Sequence, residues 1–105
     1  MTVTFEKTYL KELYENGKCL DKKHRFQPHI VKNYRKRIEQ LQSAPTPDTL
    51  RQFSSLNFEA LKGDKAGLFS IRVNDKYRIE FSLSTESEHT LLTICSIVEL
   101  SNHYD

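Results

Sequence analysis

Leu68–Leu83 reads LFSIRVNDKYRIEFSL, and its period decides the fold. Phe69, Ile71 and Val73 alternate with Leu68, Ser70 and Arg72; beyond Asn74-Asp75-Lys76, Tyr77, Ile79, Phe81 and Leu83 alternate with Arg78, Glu80 and Ser82. Successive side chains of a strand point to opposite faces, so a period of two on both sides of a polar turn predicts a β-hairpin. If the apolar set packs inward, Arg72 and Arg78 share the outward face. They are then solvated charges on an antiparallel sheet, partners of Glu80, Glu99 or Asp64, or a pair of guanidinium forks on a rigid strand suited to a phosphate.

Outward from the hairpin, Thr85–His89 (TESEH) is a second polar turn, and Thr90–Leu100 is rich enough in β-branched residues to predict a third strand. Upstream, Thr2–Phe5 fits a short first strand. Lys7–Asn16 places Leu10, Leu13 and Tyr14 at helical spacing and stops at Gly17. Gly17–Phe26 (GKCLDKKHRF) is a cationic loop, after which Pro28 starts a second helix. Ile30, Tyr34, Ile38 and Leu41 form its apolar stripe, while Lys32, Arg35, Lys36, Arg37 and Glu39 point elsewhere. Pro45 and Pro47 end that helix, since a proline disfavours helical geometry in the residue before it, and APTPD reads as a connector. Two helices followed by hairpin-connected strands predict an α+β domain: two N-terminal helices on one face of a largely antiparallel sheet of about four to five strands.

The chain has 105 residues, the size of a single domain spanning 1–105. Leu, Ile, Val and Phe supply 28 of them, enough for a core. That core is small, which argues against a deep pocket around a large cofactor and for chemistry at the surface. The N-terminal segment MTVTFEKTYLKEL lacks a charged leader followed by an apolar stretch, and no apolar run reaches the ~20 residues of a membrane span. A cytoplasmic protein with no membrane partner is the expectation. Cys19 and Cys95 lack the paired spacing of a metal or redox motif and are read as free thiols, and no metal or cofactor is implied; His24, His29 and His89 have no partner at useful spacing and read as ordinary polar positions. The net charge of +2 is uninformative, but residues 1–50 carry +4 and residues 51–105 carry −2. Within the acidic half, Lys62, Lys65, Arg72, Lys76 and Arg78 face only Asp64 and Asp75, a local +3 in the most strand-like part of the chain.

Leu56–Leu83, LNFEALKGDKAGLFSIRVNDKYRIEFSL, resembles the HigB branch of the RelE-type toxins. The residues that carry the likeness are Leu61, Lys62, Gly63, Asp64, Gly67, Leu68, Ser70, Ile71, Arg72, Val73, Tyr77, Arg78 and Ile79. The upstream order of helix, basic loop, proline-started helix and Pro-x-Asp connector is similar too. The resemblance implies a RelE-like fold and the toxin of a type II toxin–antitoxin system. It implies a metal-independent, ribosome-dependent endoribonuclease that cuts messenger RNA at the 30S decoding site, near 16S ribosomal RNA, with a HigA-like helix-turn-helix antitoxin as cognate partner.

Such cleavage needs a proton acceptor for the RNA 2′-hydroxyl, a proton donor for the 5′-oxygen, and cations where the phosphate gains charge. The resemblance assigns the cations to Lys62, Arg72 and Arg78. It assigns proton transfer to His103, whose ordinary pKa of about 6.5 suits neutral pH, with Tyr104 stacking on a base or orienting the phosphate. Glu59 stands where some relatives carry a histidine and is the candidate base. The family's ending has an acid, Tyr and His; here Ser101 and Asn102 replace the first two, and Tyr104 follows the histidine. Lys22, Lys23, Arg25, Lys65 and Lys76 are the expected RNA or ribosome contacts, through sequence-independent phosphate neutralisation. Two rivals stay open: a ParE-like toxin that binds gyrase and cuts no RNA, and an inactive relative that only binds RNA or protein.

Overall fold

The period-two segments fold as strands of one sheet in a computed structural model that describes residues 1–85 and 92–102. The strands are β1 (Thr2–Phe5), β2 (Glu59–Ala60), β3 (Phe69–Arg72), β4 (Tyr77–Thr85) and β5 (Thr93–Asn102). They lie in the order β1-β5-β4-β3-β2. The β2/β3, β3/β4 and β4/β5 pairs are antiparallel, whereas β1 runs parallel to β5, so the five-stranded sheet is mixed. A parallel pair needs a crossover rather than a hairpin, and everything between β1 and β5 serves as that crossover.

Helix α1 (Thr8–Asn16) ends at Gly17, whose φ of 76° is left-handed and whose N–H donates to the Leu13 carbonyl at 3.1 Å. Gly17→Ala is expected to cost roughly 1–2 kcal/mol, because a Cβ is penalised in that conformation; a urea titration measures it. Pro28 opens α2 (Pro28–Ser43) at its first turn, where its missing N–H is harmless. The connector is shorter than expected: Pro47 starts the one-turn helix α3 (Pro47–Leu50), again using proline's preset φ. The cationic loop likewise contains a 3₁₀ turn, Lys22–His24, capped by Asp21, whose side chain accepts from the Lys23 N–H. No helix among the described residues is long and apolar enough to cross a membrane.

One core joins helices and sheet. Leu10, Leu13, Ile30, Tyr34, Ile38 and Leu41 pack with Ile71, Val73, Ile79, Phe81, Cys95, Ile97 and Leu100. Tyr34, fully buried, satisfies its hydroxyl on the Leu10 carbonyl at 2.7 Å, tying α2 to α1. Phe58, Phe69 and Phe81 stack with ring centroids 5.6–6.2 Å apart, closing the β2 end of the core.

Strand β5 departs from the sequence reading in two ways. It runs to Asn102 instead of ending at Leu100, and its inward residues are Cys95, Ile97 and then Leu100, three apart at the last step. A bulge explains both: Glu80 pairs Glu99 but Phe81 pairs Ile97, so Val98 is an extra residue and the alternation restarts beyond it. Ser101 and Asn102 thereby become strand residues with fixed neighbours.

Candidate functional site

Cross-strand register places Arg72 directly opposite Arg78, and Arg78 opposite Ser101. Like charges facing each other across a sheet are destabilising, and the two guanidinium groups are handled differently. Arg72 pairs with Asp75, three residues past the end of its strand. The Nε and Nη1 of Arg78 are buried and have no hydrogen-bond partner among the described residues. Buried donors left open are expensive, so Arg78 is a site where local stability has been given up, as functional sites commonly show.

Two concavities meet at Asn102. The larger, about 720 Å³, is lined by Arg25, His29, Arg37, Arg72, Lys76, Tyr77 and Asn102, among others, with Asp75 its single acid among the described residues. The smaller, about 180 Å³, is lined by Glu59, Lys65, Arg78, Glu80, Ser101 and Asn102 together with Leu61 and Ser70. Arg72 and Arg78 therefore address two neighbouring hollows instead of one open face. The outward face is also less open than the alternation suggests, since Ser70 and Glu80 are 2 % and 6 % exposed. The 3₁₀ turn Gly63–Lys65 supplies the cover, with Lys65 Nζ 2.7 Å from Glu80 Oε2.

Of the sequence-assigned residues, Arg25, Arg72 and Lys76 share the larger hollow, and Glu59, Lys65 and Arg78 the smaller. Lys65 is committed to Glu80 and is not a free rim cation. Lys62, exposed at the head of its 3₁₀ turn, lines neither hollow, and the same holds for the exposed Lys22 and Lys23. His103 and Tyr104 lie outside the described residues.

Three residues join the site that the sequence reading set aside. Arg37 does not point away with the other α2 charges: its Nε donates to the Arg72 carbonyl at 3.1 Å and its Nη1 to Gln40 at 2.6 Å. Burial, and then the Arg72 charge, lower the Arg37 guanidinium from its ordinary value. The available signal was its spacing, seven residues after Ile30 and four before Leu41, which borders the apolar stripe. Glu80 is the second, read as an alternating polar position and a possible partner of the arginines, whereas its partners are Lys65 and Ser101. His24 is the third, placed beside the larger hollow through Arg25. Far from lacking partners, it stacks on Tyr9 with centroids 3.6 Å apart and bonds Asp21 at 2.8 Å. Tyr9 in turn donates to Glu99, which also holds Lys7 at 2.8 Å. Burial raises the Tyr9 hydroxyl far above its ordinary pKa, with Glu99 adding to it; burial pushes Glu99 up, but the donors Lys7 and Tyr9 outweigh it and lower the carboxyl. The basic loop is thus pinned to β5 beside the site.

Residues 3–94 match the HigB-like toxin family, described as RelE-like toxins of the type II toxin–antitoxin system HigB. Toxin HigB-1 of Vibrio cholerae serotype O1 is 37 % identical over 83 residues, 77 % of this chain and 82 % of that protein. The fold is similar to a YoeB/ParE toxin from Agrobacterium tumefaciens, with a TM-score of 0.62 and 17 % identity over 99 % of this chain and 100 % of that one. It is similar as well to the YoeB-YefM complex from Staphylococcus aureus, with a TM-score of 0.55 and 19 % identity over 99 % and 98 % of the two chains. The β-hairpin with its opposed arginines, the α+β architecture and the match over most of the sequence lead to one assignment: the chain belongs to the HigB-like toxin family, RelE-like toxins of type II toxin–antitoxin systems.

Proposed function

We propose that this toxin is a metal-independent endoribonuclease of the cytoplasm that cuts messenger RNA on the ribosome and is held silent by a HigA-like antitoxin. The observation that carries the reading is the Arg72–Arg78 opposition, with two buried nitrogens on Arg78 that no described residue bonds. An anion is what such donors lack, and a phosphodiester gaining charge in its transition state suits a preorganised guanidinium best. In this reading the two N-terminal helices back one face of the sheet, and the hollows of Arg72 and Arg78 adjoin at Asn102.

The chemistry follows from the parts. The RNA 2′-oxygen attacks the adjacent phosphorus while its proton passes to a carboxylate; the phosphorus–5′-oxygen bond breaks, and the leaving oxygen takes a proton from His103. The products are a 2′,3′-cyclic phosphate and a 5′-hydroxyl. Arg72 and Arg78 hold the phosphate, Lys62 approaches from its exposed turn, and Tyr104 stacks on a base. Arg25, Lys76 and the newly recognised Arg37 carry the flanking backbone through the larger hollow, and Lys22 and Lys23 add ribosomal contacts from the basic loop.

Inducing the chain in bacteria without antitoxin and mapping message 5′ ends tests the reading. New ends within translated messages are expected with the wild type, and His103→Ala is expected to lower them about 10²–10⁴-fold. Growth arrest with no new ends would point to a target such as gyrase, and normal growth to an inactive relative.

A further inference from the structure

Glu80 is a buried carboxylate that neither the core nor the arginine pair accounts for. Its side chain lines the smaller hollow together with Arg78, Glu59 and Ser101. Taking a carboxylate out of water is costly unless it is paired and hydrogen-bonded, and Glu80 has both compensations. Lys65 Nζ donates to Oε2 at 2.7 Å and Ser101 Oγ donates to the same atom at 2.9 Å. Both bonds go to one oxygen, so Oε1 carries none from any described residue.

Resting on the nuclease reading above, we propose that Glu80 is the catalytic residue that accepts the 2′-hydroxyl proton, seated by Lys65 and Ser101 beside the phosphate that Arg78 binds. In the step, the proton moves from the 2′-oxygen to Glu80 Oε1 as that oxygen bonds to phosphorus. The 5′-oxygen departs with the electron pair of its broken bond and is protonated by the general acid. Nothing is oxidised or reduced, and no co-reactant is required.

Glu59 is the competing base, and the geometry ranks it second. It is exposed and sits on the two-residue edge strand β2. Glu80 is on the long inner strand β4, two residues from Arg78, with its rotamer held by two donors. Catalysis by positioning favours the carboxylate held by two donors over the exposed one. Among the described residues the charged groups lining the hollow with Glu80 are Lys65 from the 3₁₀ turn, Arg78 from its own strand and Glu59 from β2, and Glu99 lies opposite it on β5, held by Lys7 and Tyr9.

The test compares cutting rates on a translated message, across acid and neutral pH, for wild type, Glu80→Gln, Glu59→Gln, Glu80→Asp and Glu80→Gln combined with Ser101→Asp. Glu80→Gln keeps the shape and is expected to cut about 10²–10⁴-fold more slowly, to lose the acid limb of the rate profile and to melt near the wild-type temperature. Glu59→Gln, at the competing base, is expected to keep the acid limb even where its rate falls. Glu80→Asp keeps the acid limb at a reduced rate. The added Ser101→Asp recovers part of the lost rate, because residue 101 already reaches the same oxygen. Near-wild-type cutting by Glu80→Gln, an acid limb lost instead in Glu59→Gln, or no recovery from Ser101→Asp overturns the assignment while the nuclease reading stands. A wild type that cuts nothing overturns both.

Discussion

Arg78→Ala is expected to slow message cleavage about 10²–10³-fold, the usual consequence of removing one preorganised donor to developing charge, while changing folding stability by no more than about 1 kcal/mol. The two halves of this expectation have separate causes. Arg78 faces another arginine across the hairpin, and its Nε and Nη1 are buried without partners among the described residues. Truncation relieves that repulsion and those open donors, each ordinarily worth about 1–3 kcal/mol, and offsets the packing lost with the aliphatic stem. Arg78→Lys returns the charge but not the planar fork, so it is expected to recover only part of the rate. Cleavage assays paired with urea titrations measure both. A strongly destabilised Arg78→Ala would mean that the guanidinium is a structural partner, and an undiminished rate would remove it from the phosphate site.

The hairpin itself was legible because its two strands keep strict alternation and one face is buried, so register and pattern agree. The helices were legible for the same reason at a period of 3.6, down to Pro28 at the first turn and Gly17 at the stop. What escaped the sequence was non-local. A bulge at Val98 cannot be seen in β5 alone, since it exists only relative to β4, and it carried the strand two residues further than the pattern indicated. The parallel placement of β1 depends on a crossover of most of the chain. Arg37 looked like one of five exposed charges on α2, and only the arrival of β3 turned its guanidinium inward.

Ser101 illustrates how the site was partly readable. In sequence it counts as a departure, a serine where an acid is expected. In space the opposing strand brings Glu80 to that spot, with the serine hydroxyl 2.9 Å from its carboxylate. A charge read as missing from one strand is thus present on its neighbour, and one-dimensional spacing has no means of reporting it. Lys65 is the converse case: in sequence one of five clustered cations, in space the partner of that buried carboxylate.

Phe81→Ala is expected to cost about 3–5 kcal/mol of folding stability. The side chain is fully buried, lies opposite Phe69 in register, and stacks with both Phe58 and Phe69. Domains of this kind have only about 5–15 kcal/mol in total, and each kcal/mol is roughly 4–8 °C of melting temperature, so the midpoint should fall by more than about 12 °C. The consequence for function follows from position. Phe81 is the residue after Glu80, at the point where β4 and β5 change register, so the packing it anchors fixes the strand that carries Arg78 and Glu80. Cleavage by the variant should therefore track its folded fraction, falling steeply on warming while approaching the wild-type rate in the cold. A melting shift worth less than about 1 kcal/mol would mean that the three phenylalanines repack around the gap. A rate that stays low where the variant is fully folded would instead mean that the core transmits its shape to the site.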